Sequence, residues 1–240
     1  DTAIINKETR FLDKVLAASE GKKRIFYGHD ESCDAVIRNC VSDASGSRFE
    51  LGYRGSWYAF ESSLVGRFNV ENLTAAIVAA FEMGLDAGTI QEGIRFVHIP
   101  GRMMLMEYKG IHIVVDYAHN KLSFLNVYKA VRETFSPRRI LSMFGACGER
   151  SAIRKRDLGE LAEKYADQVF LTADDPGYED VVTICEEIKS HITKPCRIIP
   201  DRESAVRAVM EAAKPGDVVI LAGKGAEVTQ RVRDHYEPYL

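Results

Sequence analysis

The sequence predicts an α/β protein, with a Rossmann-like, mostly parallel sheet over residues 98–240. Three observations carry this expectation. From Ile111 onward, β-branched apolar runs alternate with stretches whose apolar residues recur at helical spacing. That order is expected of parallel strands joined by right-handed helical crossovers. The runs end abruptly in polar or glycine residues, as where Ile111–Val115 gives way to Asp116-Tyr117-Ala118-His119-Asn120. A buried strand that stops this way presents those groups at its carboxyl edge, where open α/β sheets bind ligands. Finally, His98-Ile99-Pro100-Gly101-Arg102 sets Pro beside Gly between a helical stretch and a new strand. This punctuation divides the chain into residues 1–97 and 98–240.

Residues 1–97 read as mixed α/β. Ala3-Ile4-Ile5 is a short strand, Phe11 to Ala18 a helix and Arg24 to Tyr27 a second strand. A βα unit that opens at residue 1 is expected to be cut from a larger domain. Arg48–Leu51 and Ser56–Phe60 form a hairpin, with turn glycines in Gly52-Tyr53-Arg54-Gly55. Gly66-Arg67-Phe68-Asn69-Val70-Glu71-Asn72 leads into a helix marked by Leu73, Ile77 and Phe81 and ended by Gly84. Asn69 is the expected N-cap, and Asn72 falls in the first turn, where its amide reaches a neighbouring ligand.

Beyond the boundary, Met103 to Glu107 is a strand and Ile111 to Val115 the next. A helix from Ser123 to Glu133 precedes strand Arg139–Phe144, and a helix from Arg156 to Tyr165 precedes strand Gln168–Thr172. Helix Val181–Ser190 leads to strand Cys196–Ile199. Asp201 caps helix Glu203–Ala213, and Asp217–Ala222 is the last strand.

Composition narrows the function. The 240 residues hold one large domain or two small ones. A net charge of −3 argues against a nucleic-acid footprint. No apolar run approaches the ~20 residues that span a bilayer, and no signal peptide opens the chain. The five cysteines (Cys33, Cys40, Cys147, Cys185, Cys196) show no Cys-x-x-Cys spacing. They read as free thiols of a reducing cytoplasm rather than a disulfide frame or a zinc site. Cys147, in a glycine-rich loop, reads as a small filler.

The polar residues follow the strands. They are Asp116 to Asn120, then Gly145-Ala146-Cys147-Gly148-Glu149-Arg150, then Asp174-Asp175-Pro176-Gly177, then Gly223-Lys224-Gly225-Ala226-Glu227. In a parallel sheet all four loops share one edge and meet at one crevice. Arg150 and Lys224 offer cations for carboxylate or phosphate. Asp174, Asp175 and Glu227 offer carboxylates for an ammonium group. A crevice with both signs suits an amino acid. There is no G-x-x-x-x-G-K-[ST] phosphate loop and no G-x-G-x-x-G dinucleotide fingerprint.

These stretches, together with Gly66–Asn72 and Gly101-Arg102-Met103, follow in the order seen in Mur ligases. The chain resembles most the branch that adds the third residue of the peptidoglycan stem peptide. The resemblance runs from about residue 60 to 230. It implies an ATP-dependent amide ligase that joins an amino acid, L-lysine or another diamino acid, to a UDP-N-acetylmuramoyl-dipeptide through an acyl phosphate. Residues 1–97 resemble the last part of the family's central ATPase domain, and 98–240 its C-terminal amino-acid-binding domain. The UDP-binding domain, the phosphate loop and most Mg²⁺ ligands are expected to lie in a missing N-terminal part, so the chain is expected to be a fragment and inactive alone.

Carried over by resemblance, Asn72, Arg102, Asp116 and His119 are nucleotide-contacting positions. Arg150, Asp174, Asp175, Gly223 and Glu227 are amino-acid-binding positions, with Arg150 on the carboxylate and Glu227 on the ammonium. No residue is assigned a catalytic or metal-ligating role. The expected cofactors are ATP and Mg²⁺, and the expected partners are the UDP-muramoyl peptide and the amino acid. A cytoplasmic monomer without nucleic-acid or membrane partners is expected.

The sequence departs from the family in three places. Diaminopimelate-adding members read Asp-Asn-Pro-Arg where this chain has Asp174-Asp175-Pro176-Gly177. Gly-Lys-Gly-His-Glu has become Gly223 to Glu227 with Ala226, and Asn120-Lys121 replaces Thr-Pro. The alternatives are a folylpolyglutamate-synthetase-like ligase and a non-catalytic amino-acid-binding module.

Overall fold

A computed structural model describes residues 1–149 and 151–238. The chain divides into two compact units, Asp1–His98 and Ile99–Leu240.

In the first unit, β1 (Thr2–Asn6), α1 (Leu12–Ala18) and β2 (Lys23–Gly28) precede β3 (Ala35–Asp43), β4 (Gly46–Tyr53) and β5 (Ser56–Ser62). The strands form one sheet in chain order, β1-β2-β3 parallel and β3-β4-β5 antiparallel. The β4–β5 turn is tighter than the four residues expected. Arg54 and Gly55 alone carry it, both with positive φ (52° and 77°), which matches the twist of a two-residue hairpin. Gly52 instead lies within β4 under the Trp57 ring. Strand β3 has no counterpart in the sequence reading, because its alternation dissolves after Ile37 into Arg38, Asn39 and Cys40, where the β3–β4 pairing shifts register.

α2 (Arg67–Glu82) and α3 (Ala87–Arg95) complete this unit. Gly66 is the N-cap residue of α2, with φ 99°, so the expectation for Asn69 fails. Asn69 lies inside the helix, buried, and its amide donates to the Val65 carbonyl at 2.8 Å. Asn72 therefore sits in the second turn. Val70, Leu73, Ile77 and Phe81 bury the inner face of α2 against Ile25, Ile37, Leu51 and Phe60. α3 was unread, since its apolar residues are few, but Asp86 caps it by accepting from Thr89 N.

The second unit runs β6 (Met104–Tyr108), β7 (Ile111–Asp116), α4 (Lys121–Phe135), β8 (Ile140–Phe144), α5 (Ala152–Tyr165), β9 (Gln168–Leu171), α6 (Val181–Lys189), β10 (Cys196–Ile198), α7 (Arg202–Ala212) and β11 (Val218–Ala222). The hairpin β12 (Thr229–Val232) and β13 (His235–Pro238) follows. Its six-stranded sheet has the order β10-β9-β8-β11-β7-β6. Every pairing is parallel except that of β6, an antiparallel edge strand that reaches β7 through the Lys109-Gly110 turn. This is the Rossmann-like α/β sheet the alternation predicted.

Strand order places the reversal at β11, inserted between β8 and β7. The carboxyl ends of β7, β8, β9 and β11 thus stand side by side, the position where such sheets bind ligands. The strands are buried on both faces, which is why they read as unbroken apolar runs. Leu141, Met143, Phe170 and Val219 pack on Ala205, Ala208 and Val209 of α7. From α4, Phe124 meets the Phe144 ring at 5.0 Å and the Tyr128 hydroxyl bonds Ser142 at 2.8 Å. No helix among the described residues is long and apolar enough to cross a membrane.

Candidate functional site

The carboxyl edge of the second sheet collects the polar loops. Asp116 ends β7 and Tyr117 follows it, Gly145 to Glu149 follow β8, Asp174 and Asp175 follow β9, and Gly223 to Glu227 follow β11. Contacts join all four. The Gly223 amide donates to the Asp116 carbonyl at 3.1 Å, and the Gly148 amide to the Asp175 carbonyl at 2.8 Å.

Lys224 is the centre of this edge. Its side chain is 2% exposed, and its ammonium bonds Asp175 directly, Glu227 Oε2 at 3.2 Å and Asp174 Oδ1 at 3.6 Å. Burial alone lowers an ammonium pKa, but Asp175 and Asp174 outweigh it and leave Lys224 above its ordinary value. Asp174 is also buried, which pushes its carboxyl up despite Arg202 and Lys224 nearby. Two sequence readings change here. Lys224 is not a vacant anion-binding cation, and the ammonium that Asp174 and Asp175 hold is its own. Of the three carboxylates, Glu227 is the most exposed, at 41% of its side chain.

The same saturation bears on metal binding. Cys147, Asp174 and Asp175 place ligand atoms within 4.8 Å of one another. Yet Asp175 Oδ1 already accepts from Lys224 and from the Arg231 amide at 2.8 Å, so a Mg²⁺ ion here would have to displace the ammonium. Burial and then the Asp174 charge push the Cys147 thiol up, which suits a filler and not a nucleophile.

Two glycines let these loops approach. A Cβ on Gly148 would stand 1.8 Å from the Pro176 carbonyl oxygen, and one on Gly177 would stand 2.7 Å from Glu149 Oε2. The β8 and β9 loops are also clamped from α5. Lys155, 5% exposed, bridges Glu179 and Glu187 at 2.7 and 2.8 Å, and Glu179 accepts the Glu149 amide.

The nucleotide candidates have three different settings. Arg102 is exposed and lies over the Tyr117 ring, 4.6 Å from its centroid. His119 donates from Nδ1 to the Tyr117 carbonyl at 2.8 Å, since a carbonyl only accepts, and this leaves Nε2 as the ring's acceptor. Asp116 is 3% exposed, with Oδ2 on the Met103 amide and Oδ1 on the Ala118 amide, both at 2.7 Å. Burial raises its pKa against those two bonds. It joins the segment after Gly101 to the end of β7. Asn120 belongs to α4 as its cap, accepting from Ser123 N at 3.1 Å. Asn72, in the first unit, is exposed and donates to Asn69 Oδ1 at 3.5 Å. Arg150 lies outside the described residues.

Two features escaped the sequence reading. One is a second polar edge, at the carboxyl ends of β1 and β2. There Asn6 donates to Glu71 Oε2 at 3.3 Å, and Glu8 accepts the His29 amide at 3.0 Å. Burial, with Glu8 nearby, raises the Glu71 carboxyl. The signal was the run Asn6-Lys7-Glu8 directly after an apolar strand, the same cue used for Asp116. The other is the β12–β13 hairpin, which lays Arg231 beside Gly177 and Asp175. Gln230-Arg231-Val232-Arg233 is too polar to announce a strand.

Comparison with known proteins agrees with this architecture. A model of the Mur ligase, glutamate ligase domain matches residues 101–225, and one of the Mur ligase middle domain matches residues 1–80. The UDP-N-acetylmuramoyl-L-alanyl-D-glutamate--L-lysine ligase of Streptococcus pneumoniae serotype 2 is 38% identical over 98% of this chain and 48% of that protein. The UDP-N-acetylmuramoyl-L-alanyl-D-glutamate--2,6-diaminopimelate ligase of Aquifex aeolicus is 32% identical over 98% of this chain and 48% of that protein. Among solved structures, the folylpolyglutamate synthase of Mycobacterium tuberculosis superposes with a TM-score of 0.78 at 18% identity, over 92% of this chain and 52% of that one. The last is a likeness of fold alone. The chain spans about half the length of the curated relatives it matches. With its glutamate ligase domain model covering residues 101–225 and its middle domain model covering 1–80, the chain belongs to the Mur ligase family.

Proposed function

We propose that a ligase of full family length containing this chain joins a diamino acid, L-lysine or a close analogue, to UDP-N-acetylmuramoyl-dipeptide at the expense of ATP. The observation that carries the proposal is the carboxyl-edge cluster. It presents Glu227, held by Lys224, as an exposed carboxylate at the carboxyl edge of the sheet. Glu227 receives the α-ammonium group and Arg150 the α-carboxylate, while Asp174, Asp175 and Gly223 shape the loops around them. Asp174 and Asp175 do so through Lys224, and Gly223 through its bond to Asp116.

ATP supplies the phosphoryl group that activates the acceptor carboxylate. In the second unit Arg102 and His119 offer a nucleotide a guanidinium and an imidazole Nε2, and Asp116 holds their segment; in the first unit, taken by itself, Asn72 offers an exposed amide. The Cys147, Asp174, Asp175 cluster does not suit Mg²⁺, so the metal's ligands are assigned elsewhere in the full-length ligase.

The preference for a distal ammonium follows from residue 177 and from Glu149 beside it, which already holds the neighbouring Arg231. A second carboxylate on the substrate needs a fixed cation, and Gly177 has no side chain. Leaving that carboxylate buried and unpaired costs several kcal/mol. Lys155 cannot serve, since Glu179 and Glu187 hold it in the interior. The test is ligation by the full-length enzyme with lysine, ornithine and diaminopimelate at equal concentration. Faster product formation with lysine or ornithine supports the reading, and faster formation with diaminopimelate refutes the side-chain assignment. The folylpolyglutamate-synthetase-like alternative shares the fold, and substituting a folate acceptor with glutamate as the amino acid in the same assay separates it. A non-catalytic amino-acid-binding module would give no product with either acceptor.

A further inference from the structure

Glu149 adopts a left-handed backbone conformation, φ 57°, where glycine or asparagine sits with less strain. Its backbone is fixed there by the hydrogen bond that its N–H donates to the Glu179 carboxylate, itself held by the buried Lys155. Its side chain turns to Gly177, and Oε2 occupies the space a side chain at 177 would enter, 2.7 Å from the Cβ position. Gly177 itself is buried. Arg231 engages Glu149 through the same oxygen, Oε2, at 3.2 Å, and its amide is bonded to Asp175 of the Lys224 cluster. The carboxylate is 42% exposed and has accepting capacity beyond one arginine contact, so Oε1 can take a second donor.

We infer that Glu149 reads the side chain of the incoming amino acid by accepting its distal ammonium group, with Gly177 kept bare to make room for the carboxylate. This rests on the reading that the carboxyl edge takes the amino acid. Arg231 is a positioning residue. It aims Glu149 and ties it to the loop that bears Asp175. A monovalent ammonium suits this site because one oxygen is already shared with a cation, whereas a divalent metal would demand more free oxygen ligands. No bond is made or broken at Glu149. It discriminates between substrates that undergo the same ligation.

The experiment compares kcat/KM of the full-length ligase for lysine and for norleucine, which keeps lysine's four-carbon side chain but lacks the terminal ammonium group. Glu149→Gln is expected to lower the value for lysine by about ten- to a hundredfold, the range of one charge-assisted hydrogen bond. The value for norleucine is expected to stay nearly constant, so the preference collapses. Glu149→Asp should recover part of it. Gly177→Arg, which displaces the carboxylate without touching residue 149, should lower the lysine value likewise. Thermal melts check that each variant folds. A lysine-to-norleucine ratio unchanged in Glu149→Gln overturns the inference while leaving the ligase reading intact. A wild-type enzyme that forms no amide with any amino acid overturns both. A wild type that prefers diaminopimelate, with the preference lost in Arg231→Gln, overturns the assignment to Glu149 in favour of Arg231.

Discussion

Replacing Lys224 by methionine probes the cluster most sharply. Methionine matches the stem of the side chain but removes the ammonium from between Asp174, Asp175 and Glu227. Asp175 and Glu227 reach solvent and can rehydrate, at 28% and 41% exposure. Asp174, at 4%, cannot. Removing one partner of a buried ion pair costs about 3–5 kcal/mol when the other charge is left uncompensated, and the Arg202 charge that remains near Asp174 brings this to about 2–4 kcal/mol. At about 2–4 °C per kcal/mol for a chain of this size, the melting transition of the unit that carries it falls by roughly 4–16 °C. The loss also has a sign with pH. The Asp174 carboxyl is already raised by burial, and without Lys224 its folded-state pKa rises further above the unfolded value. A group raised on folding gives its full stability below its unfolded pKa and loses it as pH rises through the folded pKa. The deficit of Lys224→Met is therefore largest near neutral pH and shrinks in acid. Circular-dichroism melts of both proteins at about pH 7.5 and about pH 4.5 measure this. Adding Asp175→Asn should restore part of the loss, since the two sites are coupled. A shift below about 2 °C at neutral pH, or a deficit that grows in acid, would refute the reasoning.

Three further outcomes are expected. Asp116→Asn turns one acceptor oxygen into a donor that faces the amide of Met103 or Ala118, and should cost about 1–3 kcal/mol in denaturant unfolding. Arg102→Ala leaves the melting curve unchanged, because the guanidinium is exposed, yet lowers kcat/KM of the full-length ligase by about ten- to a hundredfold. In the first unit, Lys23, Tyr53 and Arg54 hold the Glu82 carboxyl down to about 2. A carboxylate depressed on folding adds stability above its unfolded pKa, and that stability disappears as pH falls through the folded value. Acid titration should show this loss between about 4.5 and 2, and Glu82→Gln should remove that part of the curve.

The parallel sheet was legible because its strands are buried on both faces. Ile111–Val115 and Val218–Ala222 leave no competing period, and the polar residues after them mark the carboxyl edge without reference to packing. What could not be read depends on partners distant in sequence. Lys224 reads as an available cation until Asp174 and Asp175, some fifty residues earlier, are placed around it. Asn69 carries a good cap side chain, but the positive φ of Gly66 starts α2 three residues earlier and turns the amide inward to Val65. Glu149 and Arg231 sit in loop and hairpin segments without apolar periodicity, so neither their meeting nor the space left by Gly177 is written in local pattern.

One product assay tests the ligase assignment most directly. The full-length ligase is incubated with ATP, lysine and glutamate at equal concentration and, in parallel, UDP-N-acetylmuramoyl-dipeptide or a folate acceptor, and the products are weighed by mass spectrometry. The account predicts the muramoyl-tripeptide carrying lysine, formed together with ADP. Glutamate added to the folate acceptor, with no muramoyl product, would contradict it.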